Sequence, residues 1–314
     1  MRAVGGAGGV RAVVRWIMHI LIAGASGMIG THLSATLREA GHNVTTLVRR
    51  EPTSAAEIRW DPAVQRLDLQ ALAGADTVIN LSGAGIGDRR WTRRRIDELL
   101  TSRLAATNTL TAAMATLDHP PRTFISQSAS GYYGDSGSAQ LREDASPGSG
   151  ILSRICVEWE AAAHQAPAGV RVITPRTGVV LSPAGGALGP MLPLLRLGLG
   201  GPLGHGRQYW PWITLPDVAA AFLFLADSGL HGPVNVCARE SADVNALVGA
   251  LASALHRPAF FRVPSPALRL VLGQLADELI LPSQRMEPAV LEAAGFQWQH
   301  PSLAEAAAWV AGKH

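Results

Sequence analysis

The sequence predicts an α/β fold: a Rossmann-like, doubly wound parallel sheet followed by a small, mainly helical C-terminal segment on the substrate side. Three observations carry this. Short apolar runs of strand length alternate with amphipathic helical stretches. A glycine run, GASGMIG, lies between the first such strand and the first helix. After Pro216 the alternation gives way to a mainly helical tail.

Residues 19–23 (HILIA) read as a short apolar strand. Residues 30–40 read as a helix closed by Gly41, and 43–48 (NVTTLV) as a second strand. Residues 76–81 (DTVINL) form the next strand, 96–117 a long amphipathic helix, and 123–128 (TFISQS) a further strand. A helix over 152–165 and a strand over 170–174 complete the pattern before Pro216. Beyond it come a helix over 217–226 and a strand over 233–237. The domain reading is a flexible N-terminal extension at 1–17, a dinucleotide-binding domain at 18–235 and a small C-terminal domain at 236–314.

Of the 314 residues, 47% are hydrophobic and 16% charged, enough apolar material for a sizeable core. The formal charge is +3, and Lys313 is the sole lysine, so the basic character is almost all arginine. Arginine recognises phosphate through a planar fork, which suits a phosphorylated cofactor or substrate. With 5% aromatic residues and no basic stripe interleaved with them, nucleic acid is not the expected partner. Cys156 and Cys237 lack metal-ligand spacing and read as reduced, packed thiols. The apolar stretch 188–203 is broken by Pro190, Pro193, Arg196 and several glycines, so no membrane helix is expected there. The N-terminus is a poor signal peptide, and the expected location is the cytoplasm.

Gly24, Gly27 and Gly30 form a GxxGxxG run. One glycine allows a tight turn, one lets backbone approach a pyrophosphate, and one lets helix and strand pack closely. The helix N-terminus, with Ser26, Met28 and Ile29, then offers N–H groups to phosphate. The second strand ends in Arg49 and Arg50, where an NAD-binding chain usually carries an acid for the ribose 2′-hydroxyl. Arginine there suits the 2′-phosphate of NADP. Asp61 is placed either to contact the adenine or to start the turn before Pro62.

These motifs, with INLSGAGIGDRRW, TSRLAATNTL, SQSASGYYGD, VITPRTGVVLSPAGGAL and GLGGPLGHGRQYWPWI, resemble the extended short-chain dehydrogenase/reductase superfamily. More narrowly, the chain is similar to its atypical epimerase family branch. VPSPALRLVLGQLADELIL and LEAAGFQW resemble that branch's C-terminal domain of unknown function, over about residues 262–309. The resemblance implies that Leu81, Ser82, Gly83 and Ala84 line the ribose and nicotinamide side of the cofactor. It implies that Ser128 takes the place of the catalytic serine, that Arg176 and Gly178 pass beside the nicotinamide, and that Asp217 starts the helix closing the substrate site.

The superfamily's tyrosine exchanges a proton with the substrate, and a lysine four residues on lowers its pKa. In GILSRICVEWE neither is present. One register puts Leu152 and Cys156 at the two positions, and another puts Gly150 and Arg154 there. The expected substitute donors are Ser128 and Tyr133, assisted by Arg103, a cation on the long helix that can hold an oxyanion or contact the cofactor. Tyr132, Gln208 and Trp212 are expected to contact a small polar substrate. Arg89, Arg90, Arg93, Arg94 and Arg95 either greet an anionic substrate or form a solvated face. Two functional readings follow: an NADP(H)-dependent oxidoreductase or epimerase-like enzyme, or a non-catalytic NADP(H)-binding regulator.

Overall fold

The computed structural model describes residues 17–312, so Lys313 and nearly all of the expected extension at 1–17 lie outside the described residues. The chain runs β1 (His19–Ala23), α1 (Met28–Glu39), β2 (Asn43–Val48), β3 (Glu57–Asp61), β4 (Arg66–Leu67) and β5 (Thr77–Asn80). It continues with α2 (Arg93–Ala115), β6 (Thr123–Ser126), β7 (Ser128–Ala129), β8 (Gln140–Leu141), α3 (Ile151–Ala163) and β9 (Arg171–Thr177). Next come β10 (Val179–Ser182), β11 (Gly185–Gly186), α4 (Met191–Arg196), β12 (Tyr209–Trp210), β13 (Trp212–Thr214), α5 (Leu215–Asp227) and β14 (Gly232–Val236). The C-terminal part holds β15 (Ala242–Asp243), α6 (Val244–Ala254), α7 (Ser265–Leu272), β16 (Arg285–Met286), α8 (Ala289–Ala293) and α9 (Leu303–Val310).

The main sheet has the order β14-β9-β6-β5-β1-β2-β3-β4, parallel up to the antiparallel β3–β4 pair, with β7 alongside β9. This is the expected Rossmann-like α/β architecture. Strand alternation sorts the core into two faces. Ile20 and Ile22 of β1 pack with Leu33 and Leu37 of α1 and Phe222 of α5. Leu21 and Ala23 face the other way, toward Ala106 and Leu110 of α2 and Ala163 of α3. Strand order reverses about β1, so the crevice for a ligand lies at the C-terminal ends of β1 and β5.

The differences from the sequence reading have local causes. The long helix starts at Arg93 rather than residue 96, because Thr92 accepts the Arg95 N–H and caps it. The strand expected over 123–128 breaks at Gln127, whose N–H goes to the Asn80 carbonyl, and resumes as β7 beside β9. β3 has a half-buried pattern too short to mark it as a strand in sequence, yet Trp60 seats it in the core. The C-terminal part is helical as expected, with short strands that stitch it to the core: β15 pairs β12, and β16 pairs β8. Among the described residues no helix is long and apolar enough to cross a membrane.

Charged and amide side chains dock the C-terminal part. The α3 N-terminus has no cap of its own, and the Glu278 carboxylate accepts from the Ile151 and Leu152 N–H groups at 3.0 Å each. Gly150 there has φ +108°, and a Cβ on it would strike Glu278. Asp217 accepts the Thr214 hydroxyl and the Gln299 and His300 N–H groups. It therefore lies in the first turn of α5, which Thr214 caps, and ties down the C-terminal strap.

Glu278→Ala is expected to cost about 0.5–2 kcal/mol in urea unfolding, as loss of a helix cap does. Glu292→Ala, which breaks an exposed pair with Arg239, is expected to cost about 0–1 kcal/mol. A Glu278→Ala variant as stable as the parent would contradict the docking role.

Candidate functional site

At the end of β1 the chain turns through Gly24, with φ +84°. A Cβ on Gly24 would lie 2.7 Å from the Leu81 carbonyl carbon, and one on Gly30 would lie 2.4 Å from the Gly24 oxygen. The two glycines thus let loop, strand and helix meet backbone to backbone. Gly27 is the N-cap of α1 and offers no side chain, and the first helical hydrogen bond runs from the Thr31 N–H to the Gly27 carbonyl. The Met28, Ile29 and Gly30 N–H groups are left pointing out of the helix end, a ready anion site. The cradle fits a dinucleotide's pyrophosphate. Ser26 is exposed at its rim.

The neighbouring strand β2 delivers two arginines with different fates. Arg50 is bound to Glu57 by two hydrogen bonds, 2.5 and 2.9 Å. Glu57 also accepts the Thr53 N–H and hydroxyl, and its carboxyl is held down to about 2, chiefly by Arg50. Arg49 is exposed and makes no hydrogen bond or ion pair among the described residues. Of the pair, Arg49 has the open fork. Asp61 accepts the Ala63 N–H at 3.0 Å, which is the turn-starting role.

Across the crevice, Leu81, Ser82, Gly83 and Ala84 leave β5 beside Gly24. The Leu81 N–H reaches the Ala23 carbonyl, and the Ala84 N–H reaches Ser102 Oγ. Arg103 of α2 lies behind this loop, 8% exposed, with Nη1 donating to the Ala84 and Leu99 carbonyls. Its guanidinium carbon stands 5.0 Å above the Trp159 ring. On α3 the two candidate pairs point differently. Leu152 and Cys156 face the segment after β7: a Cβ on Gly131 would be 2.9 Å from Leu152 Cβ and 3.7 Å from Cys156 Sγ. Arg154 instead faces solvent and pairs with Glu158. Burial pushes the Cys156 thiol up to about 11, with Glu160 adding to the shift and Arg103 opposing it.

Ser128 and Tyr133 do not face this crevice. Ser128 is 0% exposed and donates to Glu160 Oε1 at 2.6 Å. Arg176 grips Glu160 with both arms of its fork, at 2.9 and 3.0 Å, and its Nη1 donates to the Tyr133 hydroxyl at 3.0 Å. That hydroxyl has Asn235 Oδ1 at 2.7 Å and the Arg142 carbonyl at 3.1 Å as acceptors. Burial, opposed by Arg176, raises the Tyr133 phenol to about 12. β7 ends at Ala129, and the chain turns into a short 3-10 helix over Ser130–Tyr133, so Ser130 does not keep the inward direction that Ser128 has in the strand. Ser130, passed over in the sequence reading, is partly exposed and its hydroxyl has no partner among the described residues. The Arg176 side chain is likewise committed inside the protein, with the Tyr132 ring 3.4 Å from its guanidinium carbon.

Two expected substrate contacts are also sealed. Gln208 is fully buried and donates to the Leu203 carbonyl, and Trp212 is packed with Leu181, Leu188 and Val248 in the C-terminal core. Gly178 passes close under Pro211, where no Cβ fits. Arg95 turns inward to Glu98 and the Gly85 carbonyl, whereas Arg89, Arg90, Arg93 and Arg94 are exposed. The hairpin β10–β11 brings Gly186 over Met28, where a Cβ would come within 2.9 Å of the Met28 methyl, and so covers the glycine loop. The paired glycines at 185 and 186 were its sequence signal. A depression of about 500 Å³ lined by Phe224, Asp227, Ser228 and Ala294 lies at the opposite edge of the sheet and has no part in this crevice.

Residues 20–237 match the family described as NAD dependent epimerase/dehydratase. The chain belongs to that family. Residues 263–310 match a domain of unknown function. Among the family's members, an epimerase family protein of Mycobacterium bovis is 43% identical over 289 residues, covering 91% of this chain and 95% of that one. The crystal structure of human epimerase family protein SDR39U1 with NADPH superposes with a TM-score of 0.87 at 33% identity, covering 95% of this chain and all of the human one. A nucleoside-diphosphate sugar epimerase from Corynebacterium glutamicum gives 0.77 at 31% identity, with 95% of this chain and 59% of that one covered.

Removing one member of a buried ion pair leaves the other uncompensated, so Glu160→Ala is expected to lose about 3–5 kcal/mol of stability. Ser128→Ala, which loses one hydrogen bond, is expected to lose about 1 kcal/mol. Equal losses in urea unfolding would contradict the network. Iodoacetamide at about pH 8 is expected to spare Cys156 in the folded protein and to label it after unfolding, because the buried thiol stays protonated. Peptide mapping reads the label, and modification of the folded protein at the unfolded rate would contradict the burial of this thiol.

Proposed function

We propose that the protein binds NADP(H) at the C-terminal edge of the sheet and is an NADP(H)-dependent oxidoreductase or epimerase-like enzyme for a small polar substrate. The observation that carries this is Arg49. It ends β2 beside the glycine cradle, and its fork has no partner among the described residues, the arrangement that suits an adenosine 2′-phosphate. The human relative's structure with NADPH supports it.

In this reading the Met28, Ile29 and Gly30 N–H groups hold the pyrophosphate, and Gly24 and Gly30 keep side chains out of its path. Residues 81–84 back the nicotinamide-side ribose. Bound NADP(H) supplies or accepts a hydride. The hydroxyl free to meet a substrate oxygen is that of Ser130, not those of Ser128 and Tyr133, and Tyr132 stands beside it as an aromatic wall. A second reading, a non-catalytic NADP(H) sensor, is favoured by one feature: Leu152 and Cys156 fill the tyrosine and lysine positions with two neutral, buried side chains. A panel of carbonyl substrates, followed by loss of NADPH absorbance, separates the two. Turnover supports the enzyme, and tight binding without turnover supports the sensor.

Arg49→Ala is expected to weaken NADPH binding by about 1.5–3 kcal/mol, the loss of a charge-assisted phosphate contact, and to leave NADH binding nearly unchanged. Isothermal titration with both nucleotides tests this. Equal weakening of both, or a parent that prefers NADH, contradicts the assignment.

A further inference from the structure

The superfamily resemblance places a cation on α3, four residues after the tyrosine. Here that position is Cys156, a neutral buried thiol facing the segment after β7. A cation nevertheless stands beside it. Arg103 reaches across from α2 to Trp159, the next turn of α3 after Cys156, with 5.0 Å from its guanidinium carbon to the ring centre. On its other side it lies against Gly83, where a Cβ would come within 3.0 Å of Arg103 Cγ and 3.1 Å of Cζ. Gly83 is exposed on the crevice.

The bonding of Arg103 is incomplete in an informative way. A buried guanidinium needs a counter-charge or a full set of acceptors. Among the described residues Arg103 has no carboxylate partner, and the bonds of its Nη1 to the Ala84 and Leu99 carbonyls are to neutral groups. Its Nε and Nη2 groups have no acceptor among the described residues, yet neither is sealed from solvent as the Nε atoms of Arg95 and Arg285 are. The donors left over are therefore not sealed, and their side chain lies against Gly83 and Ala84, the loop that in the NADP(H) reading backs the nicotinamide-side ribose.

Resting on the NADP(H) reading, we infer that Arg103 replaces from α2 the cation missing from α3, and that its open donors bind the nicotinamide-side ribose of NADP(H). The exchange keeps half of the lost pair. A guanidinium holds ribose oxygens as well as an ammonium does, and in a fixed plane, but it stays protonated and relays no proton.

The test compares two ligands. NADPH carries the nicotinamide ribose, and 2′,5′-ADP carries both adenosine phosphates without it. Titration calorimetry of Arg103→Gln is expected to show NADPH weakened roughly tenfold or more, with 2′,5′-ADP unchanged within about twofold. Arg103→Lys should recover part of the loss. Gly83→Ala leaves the arginine in place but pushes its stem aside, and should reproduce the same split. Retained 2′,5′-ADP binding shows in the same experiment that the variant is folded. Variants that lose both ligands alike, or neither, overturn this inference alone. A parent that binds neither ligand overturns the NADP(H) reading and this inference with it.

Discussion

A carboxylate sits inside the molecule at Glu160 on α3 and must be neutralised there. Arg176 of β9 does this with both arms of its fork, and burial, which works against the cation, is outweighed by the Glu160 bonds, so the guanidinium is held more firmly protonated than usual. Around the pair several neighbouring polar groups find partners. Ser128 donates to Glu160, Tyr133 accepts from Arg176, and Asn235 of β14 accepts from Tyr133 while donating to the Leu141 and Glu287 carbonyls. Glu143 accepts the Asn235 and Val290 N–H groups. One buried pair thus joins α3, the end of the main sheet and the C-terminal part.

That network decides which side chains are left for a ligand. It absorbs the two hydroxyls that the residue types favoured as proton donors and the arginine expected beside the nicotinamide. Among the described residues, what it leaves uncommitted is the backbone cradle, Arg49 just after β2, the half-buried Ser130 hydroxyl, and Arg103 with donors to spare. In the proposed reading these groups suit holding a phosphorylated dinucleotide better than moving protons through a tyrosine. Glu278 contributes from a distance: by capping α3 it fixes the helix whose Leu152 and Cys156 pack against Gly131 in the segment after β7.

The parts legible in sequence were those governed by short-range rules. HILIA and NVTTLV are apolar enough to be strands in any context, and β1 and β2 have the expected bounds. The glycine spacing is dictated by contacts of backbone with backbone, which no other residue type satisfies, so Gly24 and Gly30 could be assigned from letters alone. The side on which Ser128 faces could not, because the strand is interrupted at Gln127 and its parity depends on where it resumes. Tyr133 and Gln208 were misplaced for a related reason. Their partners, Asn235 for the tyrosine and the Leu203 carbonyl for the glutamine, are set by tertiary packing, and a polar residue near a motif looks the same whether it is sealed or open. Arg49 and Arg50 were indistinguishable until Glu57 was seen to occupy one of them.

The most direct measurement of the central claim is a crystal structure of the protein grown with NADPH. The account predicts the pyrophosphate over the Met28, Ile29 and Gly30 N–H groups, the 2′-phosphate on Arg49, and Ser128 and Tyr133 still bound within the Glu160–Arg176 network. A nucleotide lodged elsewhere, a 2′-phosphate left in solvent away from Arg49, or a Tyr133 hydroxyl swung out to the nicotinamide would contradict it.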